Sequence, residues 1–341
     1  MSSPQVTPDQ AAEPCLLQDG EHPVAMRLCM LAQERLATHP SQGPDYSCNE
    51  GADGRLRVDP LDFFQGETHL PSCPAALAEL QELMAGDGAS TARVADVIAR
   101  DPGLAAWVLR LVNSAWYGLP SKVESIPRAV AMVGMRQIQA LASGGALMGI
   151  MGRVREDIFD APRFWRHSLG VALAAQSLWQ WLGKPERERL FTAGLLHDVG
   201  WLVMVTTQNQ PLLQALVAHA RDPLSSAQRE QQTFGFDHAR IGSMLLHKWA
   251  MPMPLVLTLL RHHAPMGGPV GTPPHPEPIV VHLADAIAYA TGNGRNGCAS
   301  VPALSVEALD HMGLTAAAVD VAVAELDARL DALCEAMLPT S

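Results

Sequence analysis

The chain has 341 residues, 48% hydrophobic and only 5% aromatic, and a formal net charge of −11 at pH 7. That length and apolar share allow one large core or two smaller ones. The acidic charge is spread along the chain with no Lys/Arg-rich block, which argues against duplex nucleic acid as a partner.

Apolar runs such as "PLVLTLL" fall far short of the ~20 residues a membrane span requires. The N-terminal "MSSPQVTPDQAAEP" has neither a basic n-region nor an apolar h-region, so a cytoplasmic protein without membrane association is expected. Ala, Leu and Val dominate, and period-two β-branched runs are scarce, which predicts an all-α fold. Cys15, Cys29, Cys48, Cys73, Cys298 and Cys334 show no C-x-x-C spacing and are expected as free thiols.

Residues 1–62 read as an N-terminal extension, rich in Pro, Gly, Ser, Asp and Gln and partly disordered. Within it "VAMRLCMLAQERLAT" permits one short amphipathic helix, with Met26, Cys29, Met30 and Leu36 as its apolar positions. Residues 63–155 form a first helical part. Ser72, Ser90, Asp101 and Ser125 are placed as caps or turn formers for successive short helices, and none is assigned a catalytic role. The turn region "NSAWYGLP" holds Trp116, Tyr117 and Leu119, which suit either an exposed partner anchor or a packed lid.

Residues 156–341 form a second helical part. In "APRFWRHSLGVALAAQSLWQWLG", His167 shares helical spacing with Val171, Ala174, Ala175 and Leu178, so it points inward. The helices expected next include "FTAGLLHDVGWLVMV", "NQPLLQALVAHAR", one beginning near Ser225, and "MPLVLTLLRHHAP". "IVVHLADAIAYATG" and an amphipathic helix in "LTAAAVDVAVAELDARLDALCEAM" close the chain.

Across this second part His167, His197, Asp198, His238, His262, His263 and Asp285 interrupt apolar faces. A buried carboxylate is costly unless paired or metal-bound, and imidazole with carboxylate suits zinc, iron or manganese. Singly, each has a plain structural alternative: a core hydrogen bond for His167, a helix-end pair for His197 and Asp198, a helix terminus for His238, His262 and His263. Asp285, alone in a strongly apolar helix, needs a partner, and convergence of His167, His197, Asp198 and Asp285 is expected.

The order His, His-Asp, His, His-His, Asp resembles the HD superfamily of metal-dependent phosphohydrolases, and more narrowly the HDOD domain of bacterial signalling proteins. The likeness covers about residues 64 to 290 through "LPSCPAALAEL", "VIARDPGLAAWVLRLVNSAWYGLP", "AGLLHDVGWLVM", "FGFDHARIGSMLLHKWAMP", "RHHAP" and "HLADAIAYA". It implies an N-terminal helical subdomain packed on an HD-like helical bundle. It also implies one or two divalent ions, of Fe, Mn, Zn or Mg, with His167, His197, Asp198 and Asp285 at the first and His238, His262 and His263 beside Asp198 at the second.

The family is mostly regulatory, which implies a signalling protein acting on other signalling proteins. The alternative is a phosphohydrolase, with Arg166, Arg240, Lys248 and Arg261 as phosphate contacts, and a third reading is oxygen chemistry at a di-iron site. The lysine common after the "HDIG" of related enzymes is Trp201 here, and no "GYP" follows "RHHAP".

Overall fold

Helix starts are set by side chains that accept from backbone N–H groups lacking a partner in the first turn, each contributing about 1 kcal/mol. Ser90 Oγ accepts from Arg93 N at 3.3 Å, and Asp101 Oδ1 accepts from Gly103 N and Leu104 N at 3.0 Å. Asp160, Asp237, Ser305 and Thr315 open later helices in the same way. Ser125 stands at an N-cap but makes no cap hydrogen bond, and Ser72 lies outside the described residues.

The computed structural model describes residues 22–38, 58–64, 74–85, 89–114, 117–151, 160–185, 187–205, 226–268, 272–294 and 301–338, with Leu216. Among them there is no strand. The helices are α1 (Pro23–Thr38), a 3-10 turn (Pro60–Phe64), α2 (Ala75–Ala85), α3 (Thr91–Ala99), α4 (Pro102–Val112), α5 (Ile126–Val133) and α6 (Met135–Met151). They continue as α7 (Ala161–Trp181), α8 (Arg187–Leu196), α9 (Val199–Val205), α10 (Ser226–Phe234), α11 (His238–Lys248) and α12 (Met253–Arg261). The chain closes with α13 (Pro276–Ala290), α14 (Val306–Met312) and α15 (Ala316–Met337). The helix expected in "NQPLLQALVAHAR" falls almost wholly outside the described residues.

Helices α2–α6 pack on one another, and α6 and α4 carry that layer onto α8 and α15. In the second layer α7 is the axis, enclosed by α8, α13 and α15. The sequence expectation of a one-sided apolar stripe on α7 is therefore exceeded: Phe164 and Leu173 are as buried as His167 and Val171, because neighbours cover every side. Gly194 permits the α7–α8 contact, since a Cβ there would lie 2.7 Å from Ala172 backbone atoms.

Asn113 ties the turn after α4, its Nδ2 donating to Leu109 O and Val123 O at 2.8 Å and its Oδ1 accepting from Val123 N at 2.7 Å. In that turn Tyr117 and Leu119 are half-buried against the core, and burial pushes the Tyr117 phenol upward. Trp116 lies outside the described residues.

Two expectations for the extension are corrected. Helix α1 forms, but Met26 and Met30 are 47% and 53% exposed, while Val24, Ala25, Leu28, Leu31 and Ala32 are buried. The buried face is chosen by α13 and α15, against which α1 packs with Arg27–Asp320 and Arg35–Asp327 ion pairs. Cys29 is disulfide-bonded, not a free thiol, whereas Cys334 is free and buried. No helix among the described residues is long and apolar enough to cross a membrane.

Candidate metal centre

His197 and Asp198 occupy the two-residue break between α8 and α9. The His197 ring turns back on its own helix, donating from Nδ1 to Gly194 O at 2.7 Å. His262, at the end of α12, repeats this device with Leu259 O at 2.6 Å. Both imidazoles thus satisfy a helix-terminal carbonyl three residues earlier. His167, inside α7, donates from Nδ1 to Asn293 O at 2.9 Å.

A carbonyl only accepts, so in these three rings Nδ1 carries a proton, and in the neutral ring Nε2 then presents its lone pair. All three Nε2 atoms are buried and have no hydrogen-bond partner, as is Asp285 Oδ1. Buried polar atoms are normally satisfied, so three orphans in one donor group and a fourth in the neighbouring group call for an electrophile. A divalent cation supplies it, and the backbone carbonyls are the outer partners that fix a ligating imidazole.

The seven expected residues converge. His167 Nε2 lies 3.2 Å from Asp285 Oδ1 and 3.8 Å from Asp198 Oδ2. His197 Nε2 is 3.4 Å from Asp198 Oδ1 and 3.8 Å from Asp285 Oδ1. On the other side of Asp198, His238 Nε2 is 2.8 Å and His262 Nε2 3.9 Å from Oδ1, and His263 Nε2 is 2.9 Å from His238 Nε2. Donor atoms fall into two groups, His167/His197/Asp285 and Asp198/His238/His262/His263, each within 4.8 Å of one another. Asp198 stands where the two groups meet.

Electrostatics separate the histidines. Burial, with the charges of His197 and His238, pulls His262 down to about 3, and burial drives His263 well below 6.5. His238 is also pulled down by burial, but Glu230 and Asp198 outweigh this and raise it to about 10. Glu230 Oε2 accepts from both His238 Nδ1 at 2.6 Å and His238 N at 2.7 Å.

Glu230 is completely buried and was not signalled by the sequence, since it stands in the polar run "QREQQTF". His282 was also missed, although it interrupts the same apolar helix as Asp285. It joins His262 O (Nδ1, 2.8 Å) to Ser305 N (Nε2, 3.0 Å).

Among the described residues none of the four expected phosphate contacts makes an ion pair with a carboxylate of the cluster. Arg166 pairs with Asp331 at 2.6 Å and donates to Asn293 Oδ1 at 3.0 Å. Arg240 and Lys248 are exposed, with Lys248 Nζ 5.8 Å above the Phe64 ring. Arg261 is half-buried beside Gly268. Trp201 is buried and stacks on Phe164 with centroids 6.5 Å apart, so an apolar ring stands at that position.

The architecture defines an all-helical protein built around a buried His/Asp cluster of HD type. The HDOD domain family matches residues 70–265, and the chain belongs to that family. A Shewanella amazonensis protein named as a candidate phosphohydrolase is 25% identical, over 79% of this chain and 95% of its own, with a TM-score of 0.62. An HDOD domain protein of unknown function from Geobacter sulfurreducens is 22% identical, over 92% and 98%, also at 0.62. An uncharacterized protein of Treponema pallidum is 27% identical over 197 residues, 57% of this chain. The match spans only 37% of that relative's length.

Proposed function

We propose that this chain is a regulatory HDOD protein of bacterial signal transduction, acting through contacts with other signalling proteins, with a divalent metal held at its HD centre in a structural or sensory role. The observation that carries this reading is closure. His167, His197 and His262 are 0% exposed, His238 1%, Asp198 3% and Asp285 4%, and only His263 is half-buried. A centre sealed in this way holds an ion well but offers a substrate little approach. Of the cations that phosphate binding would want, Arg166 is paired with Asp331, and Arg240 and Lys248 lie on the surface.

His167, His197 and Asp285 would hold one ion and His238, His262 and His263 a second, with Asp198 between them. Such ions would offset the buried carboxylates and tie α7, α11, α12 and α13 together. The test combines elemental analysis of the purified protein with a phosphodiester and nucleotide hydrolysis screen. Metal without turnover supports regulation, and turnover lost in Asp198→Ala would overturn it.

The second reading is a metal-dependent phosphohydrolase. It is favoured by the two donor groups flanking Asp198, an arrangement that suits a pair of ions clamping a phosphate and activating water. The name of the Shewanella relative points the same way. Iron in the elemental analysis together with oxygen consumption would instead favour di-iron chemistry.

A further inference from the structure

Helix α13 does not simply stop. Gly292, at φ +79°, turns the chain back so that Gly292 N donates to Tyr289 O at 3.0 Å and Asn293 N to Ala288 O at 2.9 Å. This closure aims the Asn293 carbonyl at α7, where it accepts from His167 Nδ1 at 2.9 Å.

The Asn293 side chain is held in turn. Its Nδ2 donates to Thr291 Oγ1 at 3.1 Å and Thr291 O at 3.3 Å, and its Oδ1 accepts from Arg166 Nε at 3.0 Å. The same guanidinium reaches the last helix, with Arg166 Nη2 2.6 Å from Asp331 Oδ1. A continuous set of polar contacts therefore runs from α15 through Arg166 and Asn293 to the buried ring of His167. Asn293 and Asp331 both lie beyond residues 70–265, the segment that matches the family.

We infer that Asn293 is a positioning residue for His167, and that the seating of α15, transmitted through Asp331 and Arg166, sets the metal affinity of the His167/His197/Asp285 group. The inference rests on the proposed metal centre. His167 is the one imidazole of the three whose Nδ1 partner is not a carbonyl of its own helix, so its orientation depends on a distant segment. A 77% exposed carboxylate such as Asp331 adds little to stability in an ordinary surface pair. Acting on a ligand instead, it would show itself in metal binding rather than in unfolding. Partners that orient ligating histidines are worth about 10- to 100-fold in metal affinity.

The experiment measures Zn²⁺ affinity of the full chain by chelator competition, and melting of the metal-free protein, for wild type, Asn293→Ala, Arg166→Met, their double variant and Asp331→Asn. Asn293→Ala and Arg166→Met are expected to weaken Zn²⁺ binding at least about tenfold, and the double variant no further than the worse single, because both cut one path. Asp331→Asn should weaken it about threefold while the metal-free melting temperature moves by no more than about 3 °C. Should Asn293→Ala fail to fold, Asp331→Asn, altered only at the surface, carries the test alone. Unchanged Zn²⁺ affinity in a folded variant, or additive losses in the double, overturns the relay and leaves the metal centre standing. A wild type that binds no Zn²⁺ overturns both.

Discussion

Gly200 lies against the backbone of His238 so closely that a Cβ on it would stand 1.9 Å from the His238 carbonyl oxygen and 2.3 Å from Gly242 N. This contact between α9 and α11 brings the break carrying Asp198 up to His238, 2.8 Å away. Gly200→Ala must push two backbones apart, and backbone cannot yield as a flexible side chain does. A loss of at least about 2 kcal/mol in denaturant unfolding is expected, with weaker metal binding. An alanine variant as stable as wild type would contradict the close approach.

Asp198→Ala removes the carboxylate between the two donor groups, so metal content should fall sharply in elemental analysis. A metal that binds only the folded state contributes RT ln(1 + [L]/Kd), about 2.7 kcal/mol at a hundredfold excess over Kd. Wild type should therefore melt lower in chelator, and the variant should melt low with or without it. If chelator leaves wild type unchanged and the variant melts no lower, the cluster is a structural relic, because alanine then only removes a buried charge.

The metal-free protein should lose stability on both sides of neutrality. Unfolded histidine titrates near 6.5, whereas folded His262 is held down to about 3 and His263 and His197 are also lowered. Between pH 6.5 and 3 the unfolded chain binds more protons, so the contribution of His262 is lost as pH falls through that window. His238, raised to about 10, works in the opposite sense: its contribution is full below 6.5 and lost as pH rises to 10. Urea midpoints across pH in chelator measure this, and a profile that rises steadily through neutrality into the alkaline range would refute it.

Glu230→Gln tests the alkaline arm separately. With the buried carboxylate gone, the His238 pKa should drop, the alkaline loss should shrink, and metal affinity should fall about 10- to 100-fold. The checks are the urea midpoints and Zn²⁺ competition. Alanine here would add a cavity, so the isosteric amide is the informative change.

The ligand-type residues were legible in the sequence because each interrupts an apolar run, and a polar group there needs a partner wherever the chain goes. Glu230 was not, since it sits among Gln and Arg on a polar helix, and only the packing of α10 against α11 buries it. Asn293 was invisible for another reason. It meets His167 with a backbone carbonyl, a group every residue has, and what matters is the turn that aims it.

Sequence alone determined the helical class, the capped starts at Ser90 and Asp101, and the set of side chains that would have to meet, because periodicity, capping and the cost of buried charge are local properties. Tertiary structure decided which face of α1 is buried, that Tyr117 and Leu119 pack inward, and how far the cluster is closed to solvent. It also decided which carbonyl or carboxylate holds each imidazole. These depend on which distant segments come into contact, and an apolar stripe or a lone histidine specifies that it needs a partner without specifying which one.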